Sequence, residues 1–109
     1  MIDPHHRWLL EMTQIPTAAG QEGRVIDGIK AGASPRRHLR LTEDRAGNLH
    51  IARVGTVTQG PPIYFTAHLD HPAFVVERVL APGTIHVGFR GGVMEEYFDR
   101  ARIGVHSAG

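Results

Sequence analysis

Apolar positions along this 109-residue chain recur first at helical and then at strand-like spacing. In "DPHHRWLLEMTQIP", Trp8, Leu9, Met12 and Ile15 fall on one helical face. Asp3 can cap that helix, Pro4 suits its first turn and Pro16 stops it. "TAAGQEGRVIDGIKAG" predicts a second helix with Val25, Ile26 and Ile29 inward. Gly23 and Gly28 weaken it by about 1 kcal/mol each relative to alanine, and Gly32 is placed to end it. The period then changes. Leu39 and Leu41 alternate with polar residues, as do Leu49 and Ile51, and "EDRAGN" between them is a turn cluster. That pattern predicts a hairpin with strands near 38–43 and 48–54, in which Asp44 and Asn48 serve the turn. After a loop at "TQGPP", the run "PIYFTAH" is almost continuously apolar. It predicts a strand near 62–68 covered on both faces, as in a parallel α/β sheet. Beyond Pro72, "AFVVERVL", a turn at "APG" and "TIHVGF" predict short antiparallel strands. "VMEEYFDRARIGV" predicts a helical turn leading to a further strand.

Composition narrows the function classes. The net charge is +1, too small for a field that gathers nucleic acid or an anionic membrane. Arg36, Arg37 and Arg40 lie close together in "SPRRHLR", but without interleaved aromatics they read as a solvated approach to a strand. There is no cysteine, which excludes disulfides, thiolate ligands and a cysteine nucleophile, and fits a cytoplasmic protein. The N-terminus is too charged and too short in apolar length for a signal peptide or a membrane span. Eight histidines are many for this length. His5 and His6, adjacent at a helix start, face different directions and read as surface residues, and His38, His50, His86 and His106 occupy polar slots of alternating segments and need no special role.

His68 and Asp70 are different because they stand where the apolar run ends, in "FTAHLDHPAF". Ligands of α/β sheets gather at the carboxyl ends of strands. Neutral imidazole is a good ligand for zinc and similar divalent ions. Asp70 falls on the same side of an extended backbone as His68. It could accept the second imidazole N–H and fix the tautomer of a metal-bound ring. On spacing alone, a polar strand end with a partly exposed histidine is the competing reading. His71 precedes Pro72 and is steered away from the pair.

Several motifs occur here in a distinctive order: Ile15, Pro16, Thr17, Gly20 and Glu22; then Asp44, Gly47 and Asn48; then Ala67, His68 and Asp70; and then "GFRGG". In that order they resemble the N-terminal part of the glutamyl and deblocking aminopeptidases, co-catalytic metallopeptidases that assemble into tetrahedral dodecamers. The chain departs from that pattern at His71, where the family usually has glutamate, and at Pro72–Ala73, where it has Ile-Gly. The resemblance implies an α/β fold, the N-terminal part of a zinc-exopeptidase-like mixed sheet flanked by helices. The start of an inserted β-rich, barrel-like domain would follow. The implied division is 1–71 and 72–109.

The implied activity is hydrolysis of peptide bonds near a free N-terminus through a water activated by two divalent metals, zinc or cobalt. His68 would be a metal ligand and Asp70 the catalytic-site residue that orients it. The remaining ligands and the general base would lie beyond residue 109, so the fragment itself is expected to be inactive. Glu95 and Glu96 read as a solvated loop rather than a catalytic pair. Expected partners are a peptide substrate and, for the full-length protein, further copies of itself. Neither nucleic acid nor membrane is expected. The alternative is a non-catalytic relative or assembly module that keeps the half-fold.

Overall fold

The computed structural model describes residues 3–55 and 59–107. Two helices and two small antiparallel sheets form in the order α1 (Pro4–Thr13), α2 (Gly23–Ala33), β1 (Leu39–Glu43), β2 (Leu49–Arg53), β3 (Ala73–Ala81) and β4 (Thr84–Arg90). A single 3-10 turn, Glu95–Tyr97, follows. The chain divides into two compact units, one comprising Met1–Ile15 and Gly23–Leu69, the other Pro16–Glu22 and Asp70–Gly109.

In the first unit, α1 starts where the sequence predicts. Pro4 opens it, and the Asp3 carboxylate accepts from the backbone N–H groups of His5 and His6 at 3.2 and 3.3 Å. These bonds satisfy donors that a helix start leaves unpaired. Helix α2 is shorter than its pattern suggests and begins only at Gly23. Its glycines have a packing use. A Cβ on Gly28 would stand 2.8 Å from Ile15 Cδ1, and one on Gly32 would stand 3.1 Å from the Trp8 indole nitrogen. Gly28 and Gly32 therefore make room for the apolar face of α1, whereas a Cβ on Gly23 would meet nothing within 4 Å. Gly32 lies inside the helix rather than ending it. The end is instead marked by Arg36, which donates to the Gly32 carbonyl and places its guanidinium 5.6 Å from the centre of the Trp8 ring. Arg36 is thus not the solvated side chain expected from its basic neighbourhood.

The first hairpin has the predicted register, with Leu41 opposite Ile51 and Glu43 opposite Leu49. Its turn is built by Asp44. One carboxylate oxygen accepts from the Ala46 and Asn48 backbone N–H groups at 2.8 and 2.9 Å, and the other accepts from the Asn48 side-chain amide at 2.9 Å. Gly47 supplies the positive φ, +86°, that the turn requires. These bonds favour the ionised carboxylate, the Asn48 amide most of all, and hold the Asp44 pKa below the ordinary aspartate value. The sign follows: a depressed acid stabilises the fold above its unfolded pKa and loses that contribution as pH falls through the folded one. The Asn48 and Ala46 amide resonances should therefore move together only at a pH below the range in which an ordinary aspartate protonates. Asp44→Ala should abolish that movement. Lys30 on α2 ties to β1 through Glu43 at 2.7 Å, a bond that raises the Lys30 pKa.

The run at 62–68 corrects the sequence reading. It is neither a strand nor buried: Ile63 is 82%, Tyr64 71% and Phe65 95% exposed. A continuous apolar run encodes cover on two faces, and a strand needs neighbours that complete its ladder. Among the described residues, β1 and β2 pair only with each other, as do β3 and β4, and no strand pairs with this run. The α/β class holds, and among the described residues the strands form two two-stranded antiparallel sheets rather than the expected mixed sheet. The expected loop at 58–62 begins at Thr58, outside the described residues.

In the second unit, β3 and β4 form the expected hairpin. Val76 faces Val87, Arg78 faces His86, Val79 faces Ile85 and Ala81 faces Thr84, so Glu77 and Leu80 are extra residues that bulge β3. Phe74, opposite Phe89, meets it at 5.2 Å between ring centroids, and Phe98 closes on the two at 4.9 and 4.6 Å. The expected helical turn is present at Glu95–Tyr97, but no strand follows it among the described residues.

Thr17 and Ala18 from the Pro16–Glu22 segment are buried, and the Thr17 hydroxyl is sealed in without a hydrogen-bond partner among the described residues. An unmade bond of that kind costs stability that an apolar group of the same shape does not. Thr17→Val should raise stability by about 1 kcal/mol. The urea midpoint measures this, and a fall in midpoint would show that the hydroxyl is satisfied in solution.

Candidate functional site

The residues predicted to carry chemistry lie where the two units join in sequence. His68 belongs to the exposed run that ends the first unit, and its own side chain is exposed. Asp70 opens the second unit and is half-buried. His71 and Pro72 are exposed, and β3 starts at the next residue.

The local fold explains why the chain turns here. Pro72 has no N–H to donate, and the β3–β4 ladder begins at the next residue, Ala73, which pairs with Arg90. The backbone of Gly91 lies so close that a Cβ there would stand 2.8 Å from the Pro72 Cβ and 2.9 Å from its Cα. Gly91 therefore fixes the direction in which the chain arrives at β3 from Asp70. Sequence reading did not single out this constraint. Its signal was the glycine pair directly after an alternating strand.

Imidazole and carboxylate are suitable donors for a divalent ion, but a zinc site takes about three protein ligands. Among the described residues, no group of three or more His, Asp or Glu side chains is placed to hold a metal. The residues present therefore supply at most a corner of such a site and do not form one by themselves.

The other candidates stand apart from His68 in role. Asp44 and Asn48 bond to each other and to their own turn, as expected of turn residues. His86 pairs with Glu77 across the hairpin at 3.0 Å, on the exposed surface. Glu95 and Glu96 are exposed in the 3-10 turn, which agrees with their reading as a solvated pair. His5 lines a groove of about 160 Å³ in the first unit, together with Trp8, Ile29, Arg36, Leu39 and Ile51. No helix among the described residues is long and apolar enough to cross a membrane.

The chain is similar to the glutamyl aminopeptidase of Lactococcus lactis subsp. cremoris (strain MG1363), with 31% identity over 88 residues. That alignment covers 74% of this chain and 22% of the aminopeptidase, so the chain spans under a quarter of the length of this relative. No family model and no solved structure matches the chain.

Proposed function

We propose that this chain is the N-terminal portion of a metal-dependent aminopeptidase that acts on peptides near their free N-terminus. The observation that carries the reading is the likeness to a glutamyl aminopeptidase over 88 residues. The ordered motifs at Ile15–Glu22, Asp44–Asn48 and Ala67–Asp70 support it. In this reading residues 1–71 open a zinc-exopeptidase-like catalytic domain and residues 72–109 open an inserted β-rich domain. The complete protein would be cytoplasmic and homo-oligomeric.

His68 would bind one of two divalent ions, zinc or cobalt. Asp70 would accept the far imidazole N–H and hold the ring in the tautomer that binds. Bound metal would supply Lewis-acid polarisation and a water of lowered pKa. The other ligands and the general base would come from sequence outside this chain. A second reading, an assembly module without catalysis, is favoured by the exposed Ile63, Tyr64 and Phe65, which offer an apolar run for another chain to cover.

The test has two arms. The 109-residue chain should show no turnover of aminoacyl p-nitroanilides, and calorimetric titration should find zinc binding weaker than micromolar. The full product of the gene should be an aminopeptidase that needs a divalent metal. In that product His68→Ala should weaken metal binding by at least about tenfold, with activity falling in step. Metal-dependent activity that His68→Ala leaves intact would remove His68 from the site. A full gene product without peptidase activity would leave the assembly module standing.

A further inference from the structure

We propose that Pro16–Glu22 is a strap, latched into the second unit by Arg90. In sequence the segment merely connects α1 to α2, both elements of the first unit, yet it packs with Asp70–Gly109. It supplies the second unit with Ala18 and Thr17, 4% and 7% exposed, and in that unit no other described residue is buried. The hairpin's own residues are half-buried or exposed. The best-shielded part of this unit is therefore delivered by a loop from the N-terminal half.

The latch is a single long-range bond. Arg90, the last residue of β4, donates from Nη1 to the Ala19 carbonyl at 2.5 Å, across 71 positions of sequence. The strap is folded to present that carbonyl. Its turn closes with the Gln21 N–H donating to the Ala18 carbonyl at 2.8 Å, and Gly20 takes φ +77° at the third position, as a type II turn requires. The Gly20 N–H is occupied by Glu22 Oε1 at 2.8 Å. The turn's own bonds thus use the Ala18 carbonyl and not that of Ala19, which takes the guanidinium. The donor is a cationic guanidinium, so the bond is charge-assisted. A Cβ on Gly20 would stand 3.1 Å from the same nitrogen, so the guanidinium lies directly against the turn. Arg90 is a positioning residue here: it sets where the connector between the helices lies.

Hydrogen exchange on the 109-residue chain tests this, with the Gln21 amide reporting the strap and the Val76 and Val87 amides reporting the hairpin. Arg90→Ala should speed exchange at Gln21 by about tenfold, the low end for losing a charged hydrogen bond, and leave Val76 and Val87 unchanged. Arg90→Lys should restore part of the protection, because an ammonium can still donate to one carbonyl. Gly20→Ala strains the turn and crowds the Arg90 guanidinium while leaving every residue of β3 and β4 unsubstituted, and should reproduce the same signature. Should Arg90→Ala fail to fold, Gly20→Ala decides on the same two readouts. Unchanged exchange at Gln21 overturns the proposal. So does acceleration of strap and hairpin by one common factor, which would make Arg90 a residue of general stability.

Discussion

Gly91→Ala should destabilise the second unit by about 3 kcal/mol or more, as two penalties fall on one atom. Gly91 has φ +144°, a conformation that side chains with a Cβ rarely adopt. The added methyl would also stand 2.8 and 2.9 Å from the Pro72 Cβ and Cα, and 3.2 Å from the Phe89 ring. Pro72 cannot swing away as a long side chain would, because its ring is fused to the backbone. Either the end of β4 or the corner between Asp70 and Ala73 must move. Gly92 provides an internal control, since a Cβ there meets nothing within 4 Å and its φ is not positive. Gly92→Ala should change stability by no more than about 0.5 kcal/mol. Urea titrations followed by the Val76 and Val87 methyl resonances compare the two. Equal midpoints for the two variants would mean that the approach to Pro72 is relaxed in solution.

Phe89→Ala should cost the same unit about 2–3 kcal/mol. A fully buried Phe→Ala costs roughly 3–5 kcal/mol, and Phe89 is half-buried, which lowers the figure. The ring also meets both Phe74 and Phe98, and such aromatic pairs add about 0.5–1.5 kcal/mol beyond burial. The loss is large because little else in the unit is shielded from water beyond Thr17 and Ala18. Phe89→Leu should recover more than half of it by keeping most of the apolar volume. The same titrations give both values. A cost below about 1 kcal/mol for the alanine variant would show that the three rings are not the centre of this unit.

What could be read from the sequence was what neighbouring residues decide among themselves. Helix α1 was legible because Asp3 and Pro4 act within one turn. The first hairpin was legible because alternation and the Asp44–Asn48 turn are both local. Helix α2 was read as starting too early because its periodicity says nothing of Gly20 and Glu22, which spend their backbone and carboxylate on a turn. The bond that places that turn comes from Arg90, which no window of the sequence contains together with Ala19. The run at 62–68 failed for a different reason. Its composition states what should surround it rather than what conformation it takes, and among the described residues no strand pairs with it and Ile63, Tyr64 and Phe65 stay exposed. The candidate site shares this limit. His68 and Asp70 were proposed from their place at the end of an apolar run and from the ordered motifs, whereas the Gly91–Pro72 approach at the corner after Asp70 could be seen only in three dimensions.

The two bulges of β3 give its hairpin a sidedness toward other chains. Every strand of a two-stranded sheet is an edge, and an edge is a template for sheet growth. Glu77 and Leu80, each an extra residue on β3, interrupt the even spacing of donors and acceptors that an incoming strand must match. β4 carries no extra residue over the same length. Any ladder that extends this sheet, in a native assembly or in an aggregate, will add along β4, and charges or prolines meant to keep the protein dispersed belong on that strand.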